Sequence, residues 1–231
     1  MAVGLAAGAV LGAKMLAPEF TVKKVVVSGT YHLDRNDIIR SLEIPRGQSL
    51  TDLEFETVRG MLVKNPWIRK VSMRRQYPDT LVLKVEEATP KALLRRRNEL
   101  YLIDGEGRAL ERIQGETIPF LPVITNISES NGKDMTEALR LVEVLSRKTD
   151  FTERESIQVG LETFGLTVTI DGELIKVGYG NYEEKFDRWM ALEPEIKKRG
   201  VPVKYVDLRF KDSVIVKPDR ENSEEEGETR S

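Results

Sequence analysis

Residues 68–90 read IRKVSMRRQYPDTLVLKVEEATP, and this stretch decides the fold of the first part of the chain. Val71 and Met73 fall on one face of a first arm, and Leu81, Leu83 and Val85 on one face of a second. Tyr77-Pro78-Asp79-Thr80 supplies the reversal between them. Arg69, Arg74, Lys84 and Glu86 occupy the opposite faces. Alternation on both arms around a Pro-Asp turn predicts a β-hairpin with one face in a core and the other in water.

Working back toward the N-terminus, Phe20–Val27 is rich in β-branched residues and reads as a strand. Asp34 is a helix N-cap ahead of Ile38, Ile39 and Leu42, and Pro45-Arg46-Gly47 ends that short helix. Thr51 and Glu54 have capping-box spacing, and Phe55, Val58, Met61 and Leu62 then recur at helical intervals up to Asn65-Pro66. Trp67 reads as a core plug between that helix and the hairpin. The order over residues 18–89 is β-α-α-β-β.

Beyond Pro90 the pattern becomes mainly antiparallel β with two helices. Ala92–Arg97, Glu99–Ile103 and Arg108–Ile113 read as strands, the last two joined through Asp104-Gly105-Glu106-Gly107. Leu121-Pro122-Val123-Ile124 reads as an edge or a loop because of its proline. Asp134 with Glu137 predicts a capped helix whose apolar face is Met135, Ala138, Leu139, Val142 and Leu145. Strands are expected at Ile157–Leu161, Gly165–Ile170 and Glu173–Tyr179. Asn181 with Glu184 predicts a second capped helix, with Tyr182, Phe186, Trp189 and Met190 on one stripe and Pro194 kinking or ending it. Val201–Phe210 and Val214–Lys217 are the last strands, and the second domain spans 90–218.

The composition excludes several function classes. In 231 residues, 38 acidic and 36 basic side chains nearly cancel, so no global field points to nucleic acid. With no cysteine and a single histidine, His32, the chain lacks material for thiolate catalysis, a His-based metal cluster or a Ser-His-Asp triad. Arg74-Arg75 and Arg95-Arg96-Arg97 alternate faces on strands, and the reading as a solvated or partner-facing surface outweighs a phosphate site. Asp104-Gly105-Glu106-Gly107 has too few oxygen ligands for calcium and reads as a turn. Gly178-Tyr179-Gly180 lacks the third glycine of a dinucleotide loop. Glu86 and Glu87 point to opposite faces and cannot act together as acid and base. The reading is of a protein that is not an enzyme and has no cofactor or metal.

At the N-terminus, residues 2–17 (AVGLAAGAVLGAKMLA) are apolar except for Lys14. As a helix they span ~24 Å, short of a ~30 Å hydrocarbon core. A signal peptide would want basic residues before the run and a small-residue cleavage site after it. A soluble core helix would want a polar face. A membrane anchor over 1–17 fits best, with Lys14 snorkelling to the interface. The absence of a basic leader points to a very short cytoplasmic tail or to a true start upstream of Met1. Residues 219–231 are acidic with no apolar anchor and are expected to be disordered.

The hairpin run R-R-x-Y-P-D-T-L-x-x-x-V-x-E resembles the last two strands of a POTRA domain, a small module that docks extracytoplasmic peptides and partner proteins. Val177-Gly178-Tyr179-Gly180, the helix beginning Glu184-Lys185-Phe186, and Tyr205-Val206-Asp207-Leu208-Arg209-Phe210 resemble, in the same order, the C-terminal β domain of the FtsQ/DivIB cell-division family. The resemblance covers residues ~20–217. It implies an α+β protein anchored in the cytoplasmic (inner) membrane, N-terminus inside and bulk outside, at the division septum. It implies a divisome scaffold whose POTRA domain contacts FtsK and septal synthesis proteins and whose last strand receives FtsB, which acts with FtsL. Carried over by motif, the partner-binding residues are Arg209, Phe210, Asp212, Ser213, Val214, Ile215 and Val216. Lys217-Pro218 stands where gamma-proteobacterial members carry Gly-Trp, so a contact from that tryptophan does not carry over. The alternative is a POTRA-bearing envelope adaptor or outer-membrane assembly factor. One POTRA copy followed by about 130 residues with two helices is a poor match for the second of these.

Overall fold

A computed structural model describes residues 20–115, 118–127, 132–148, 154–200 and 202–219. The chain divides into two compact units between Ala88 and Thr89. The expected anchor at 1–17 and the tail beyond Asp219 lie outside the described residues. Among those residues no helix is long and apolar enough to cross a membrane.

The first unit runs β1 (Lys24–Ser28), α1 (Arg35–Ser41), α2 (Phe55–Leu62), β2 (Ile68–Gln76) and β3 (Thr80–Glu87). The hairpin forms as its pattern requires, with Gln76 opposite Thr80 and Val71 opposite Val85. β1 joins the far side of β3 in parallel, giving the order β1-β3-β2. Leu81, Leu83 and Val85 go into the core with Ile38, Val58 and Leu62 from the two helices. Each such burial is worth about 1.5–3 kcal/mol.

The first strand begins at Lys24 rather than Phe20. Thr21 is diverted to bridge Ser49, and the Leu50 amide donates to the Phe20 carbonyl at 2.6 Å, so this segment pairs with the loop before α2. Asp34 caps α1 as expected, accepting from the amides of Asn36 and Asp37. The Thr51–Glu54 box does not form. α2 starts after Glu54, which makes no side-chain cap, while Thr51 bonds Ser49 and Asp52.

Arg75 explains why the hairpin carries two arginines. Its Nε donates to the Leu50 carbonyl at 2.7 Å and Nη2 to that of Leu53 at 2.6 Å, with the guanidinium 4.3 Å from the Phe55 ring centroid. The second arginine is therefore a clasp on the loop leading into α2, whereas Arg74 is exposed. Glu87 closes the other end of the sheet. Its carboxylate accepts the amides of Tyr31, His32 and Leu33 at 3.1, 2.8 and 3.0 Å. Desolvation opposes ionisation there, but the three N–H groups outweigh it and hold the carboxyl below its usual range. Trp67 is buried as expected and stacks on the His32 ring at 3.7 Å.

The second unit runs β4 (Pro90–Arg96), β5 (Glu99–Asp104), β6 (Ala109–Arg112), β7 (Val123–Thr125), α3 (Gly132–Lys148), β8 (Ile157–Glu162), β9 (Gly165–Ile170), β10 (Glu173–Lys176), α4 (Tyr182–Arg199), β11 (Val203–Asp207) and β12 (Ile215–Pro218). Its strands form one sheet in the order β12-β11-β10-β9-β8-β7-β4-β5-β6. Five of the eight neighbouring pairs are antiparallel. The others, β10–β11, β4–β7 and β7–β8, are parallel. Inward side chains such as Val159, Val168, Ile175 and Val206 meet the apolar faces of the two helices in a single core.

Five expectations need correction. Val123–Thr125 is neither edge nor loop but lies inside the sheet between β4 and β8; Pro122 sits just before it and uses its carbonyl to accept the Leu93 amide at 2.9 Å. Asp134 and Glu137 stand inside α3, which begins at Gly132, and not at its N-cap. They accept the hydroxyls of Tyr179 and Tyr182 at 2.8 and 2.6 Å. Asn181 stands at the N-cap of α4 with φ +53° and no side-chain bond. Pro194 lies on the exposed side of α4, and the helix continues to Arg199; Glu193 joins Arg154 and Lys197 across it and Gly200 closes it at φ +64°. Met190 is exposed, whereas Tyr182, Phe186 and Trp189 are buried.

Candidate functional site

Among the described residues, β12 occupies one end of the nine-stranded sheet and pairs with β11 alone. Val206 lies opposite Val216 and Asp207 opposite Ile215, with an irregularity between Val203 and Tyr205. Along β12 the side chains alternate. Val214 and Val216 are half-buried against the core, while Ile215 is 44 % exposed on the other face. The outer margin of this strand offers backbone N–H and C=O groups that no other described strand takes up, the physical requirement for strand addition.

The corner leading into β12 is built from Asp207 to Lys211. Asp207 is buried, and its carboxylate accepts Arg209 Nε at 2.9 Å, Nη2 at 2.6 Å and the Arg209 amide at 3.1 Å. Burial works against the charge of Asp207, and these bonds with the neighbouring cations prevail and hold its carboxyl below the usual range. The guanidinium of Arg209 also lies 4.7 Å from the centroid of Phe164. Arg209 is thus committed within the fold and braces the corner. Phe210 is 47 % exposed, and Asp212 and Ser213 are exposed beside it. The structure therefore brings Phe210, Asp212, Ser213 and Ile215 to the surface of one margin, and places Val214 and Val216 facing inward.

Beneath the corner lies the Val177–Gly180 turn. Gly165 has φ +112°, and a Cβ there would stand 2.9 Å from the Cα of Gly178; a Cβ on Gly178 would stand 3.2 Å from Arg209 Cγ. Glycine is required at Gly165 by close backbone approach as well as by dihedral angle; at Gly178 the positive φ favours it and a Cβ would press on the Arg209 stem. On the outer face of the strands Lys176 sits 3.6 Å from the Tyr205 ring centroid, with Lys217 at 5.7 Å from the same ring. Sequence reasoning missed Phe164 and Tyr205 as supports. Phe164 was visible as an aromatic placed in a turn, outside the alternation of the flanking strands.

Elsewhere, Asp104 accepts the amides of Glu106 and Arg108 and the Arg108 side chain at 2.7–2.8 Å. Its carboxylate organises the hairpin turn that the two glycines predicted. Arg96 lies over Tyr101, and Arg95 and Arg97 are exposed, so the arginine run does not converge on one point.

Comparison with known proteins agrees with this architecture. Residues 20–88 match the model of the FtsQ-type POTRA domain. Residues 92–209 match that of the C-terminal region of cell division protein FtsQ/DivIB. The chain is 29 % identical over 212 residues to cell division protein FtsQ of Syntrophotalea carbinolica, covering 87 % of this chain and 74 % of the relative. It is 27 % identical over 218 residues to cell division protein FtsQ of Escherichia coli, covering 90 % and 76 %. The protein of Geotalea daltonii is similar at 29 % over 210 residues, 86 % and 76 %. With a POTRA unit followed by this nine-stranded sheet, and family matches over both, the chain belongs to the FtsQ/DivIB family of bacterial cell-division proteins.

Proposed function

We propose that this protein is a non-enzymatic scaffold of the divisome that binds the extracytoplasmic parts of FtsB and FtsL along β12. Residues 1–17 anchor it in the cytoplasmic membrane, with the bulk outside at the septum. The POTRA unit serves recruitment, with FtsK and septal synthesis proteins as its partners. The observation that carries the reading is the terminal position of β12 among the described strands: an edge with no described strand beyond it, with exposed Phe210 ahead of it and exposed Ile215 at its start, on a corner braced from within. An incoming strand gains main-chain bonds there without rearrangement of the sheet. Arg209 acts in this scheme by fixing the corner through Asp207.

The test of the cellular role is localisation of an N-terminal fluorescent fusion in a strain depleted of the native protein. A mid-cell band at constriction, with filamentation on depletion, is the expected result. Uniform envelope signal with normal division would replace the scaffold reading with that of a general envelope adaptor.

A further inference from the structure

The first two turns of α4 carry two cations whose bonds go to backbone carbonyls rather than to acids. Lys185 is buried, and its Nζ donates to the carbonyls of Val177 at 2.8 Å and Tyr179 at 3.0 Å. Arg188, one turn further on, donates to the carbonyl of Lys211. Burying an ammonium is costly and is sustained only where its hydrogen bonds are well used. Lysine is not needed to fill this space, because a methionine of similar length would occupy the same volume beside Tyr182 without desolvating a charge.

What the two cations hold is the support of the β12 corner. Val177 and Tyr179 flank Gly178, on which the stem of Arg209 rests. Lys211 lies two residues beyond Arg209, at the point where the chain turns toward β12. One helix therefore grips the floor of the corner with Lys185 and its outgoing arm with Arg188. We infer that Lys185 and Arg188 are positioning residues, which set the Arg209–Lys211 corner from α4 and so fix the strand edge in its partner-accepting geometry. This inference rests on the reading of β12 as the docking edge. Desolvation, with help from Arg188, holds the Lys185 ammonium below its usual pKa, as expected for a cation retained at a cost.

The experiment uses Lys185→Met, with Arg188→Gln as an independent variant should the first fold poorly. Val144→Ala, which removes core volume beneath α3, serves as a control of general destabilisation. Two readouts are taken: amide resonances of the free protein, and affinity for the purified extracytoplasmic segments of FtsB and FtsL. Each positioning variant is expected to shift the Gly178, Arg209 and Phe210 resonances while leaving β4 and β5 unmoved. Each is also expected to weaken binding by about tenfold, the weight of one charge-assisted hydrogen bond. Val144→Ala is expected to lower the melting temperature with neither effect. Unmoved corner resonances in both variants would overturn the positioning role, whether or not the partner binds. Failure of the unaltered protein to bind would sink the docking reading separately.

Discussion

Arg75→Met is the substitution whose cost the structure determines most closely. The change keeps the aliphatic stem and removes two hydrogen bonds from a guanidinium to the Leu50 and Leu53 carbonyls, at 2.7 and 2.6 Å. Bonds to a charged group are worth about 1.5–3 kcal/mol each. Arg75 is only half-buried, so water recovers part of that value; the contact with Phe55 adds about 0.5–1 kcal/mol. The expected loss is about 2–4 kcal/mol, confined to the POTRA unit. Arg75→Lys should lose at least half as much, because a single ammonium does not span both carbonyls as a guanidinium fork does. The assay is urea unfolding followed by tryptophan emission in a Trp189→Phe background, which leaves Trp67 as the reporter of the first unit. With a slope of about 1.5 kcal/mol/M, the Met variant should unfold at about 2 M lower urea. A loss below about 0.5 kcal/mol, or a lysine variant equal to wild type, would refute the clasp and return this arginine to the solvated face.

Glu87→Gln should destabilise the first unit at neutral pH and leave it unchanged in acid. The folded carboxyl titrates below its ordinary 4.5, so its stabilisation is present above that value and lost as pH falls through the lower folded one; parallel stability curves for the two proteins down to pH 3 would contradict this. Gly165→Ala should cost at least about 2 kcal/mol in thermal unfolding, through its +112° φ and its approach to Gly178, and a neutral effect would mean that the turn is free to move. Phe210→Glu and Ile215→Glu should weaken FtsB–FtsL binding about tenfold or more while changing melting temperature little, as surface changes do. Val214→Glu should lower stability as well, because its side chain packs on the core.

The hairpin, the β-α-α-β-β order and the edge position of the final strand were legible because each depends on local alternation or on place in the chain. Leu81, Leu83 and Val85 could face only one way, and Val214–Lys217 came last with Pro218 behind it. The helix caps misled for three different reasons: Thr51 bonds its neighbours Ser49 and Asp52, Asn181 takes the N-cap place without a side-chain bond, and Asp134 falls inside its helix and meets a distant tyrosine. Tyr179 and Tyr182 took Asp134 and Glu137, contacts that no local window contains. Leu121-Pro122-Val123-Ile124 was read as an edge or a loop because of Pro122, which in the fold stands just before the strand Val123–Thr125. Arg209 was legible as part of a motif but not in its bracing role: Asp207 stands only two residues away, whereas the ring of Phe164 reaches it from a segment some 45 residues earlier. Lys185 stood within the Glu184-Lys185-Phe186 motif but with no role legible, because a lysine on an amphipathic helix ordinarily faces water.

The central claim is that β12 is where the partner docks, and amide hydrogen exchange with and without the extracytoplasmic segments of FtsB and FtsL tests it most directly. New protection concentrated on residues 213–218, with the opposite sheet edge at 109–112 unchanged, is the predicted result. Protection at 109–112 or within the POTRA unit, with β12 exchanging as before, would contradict it.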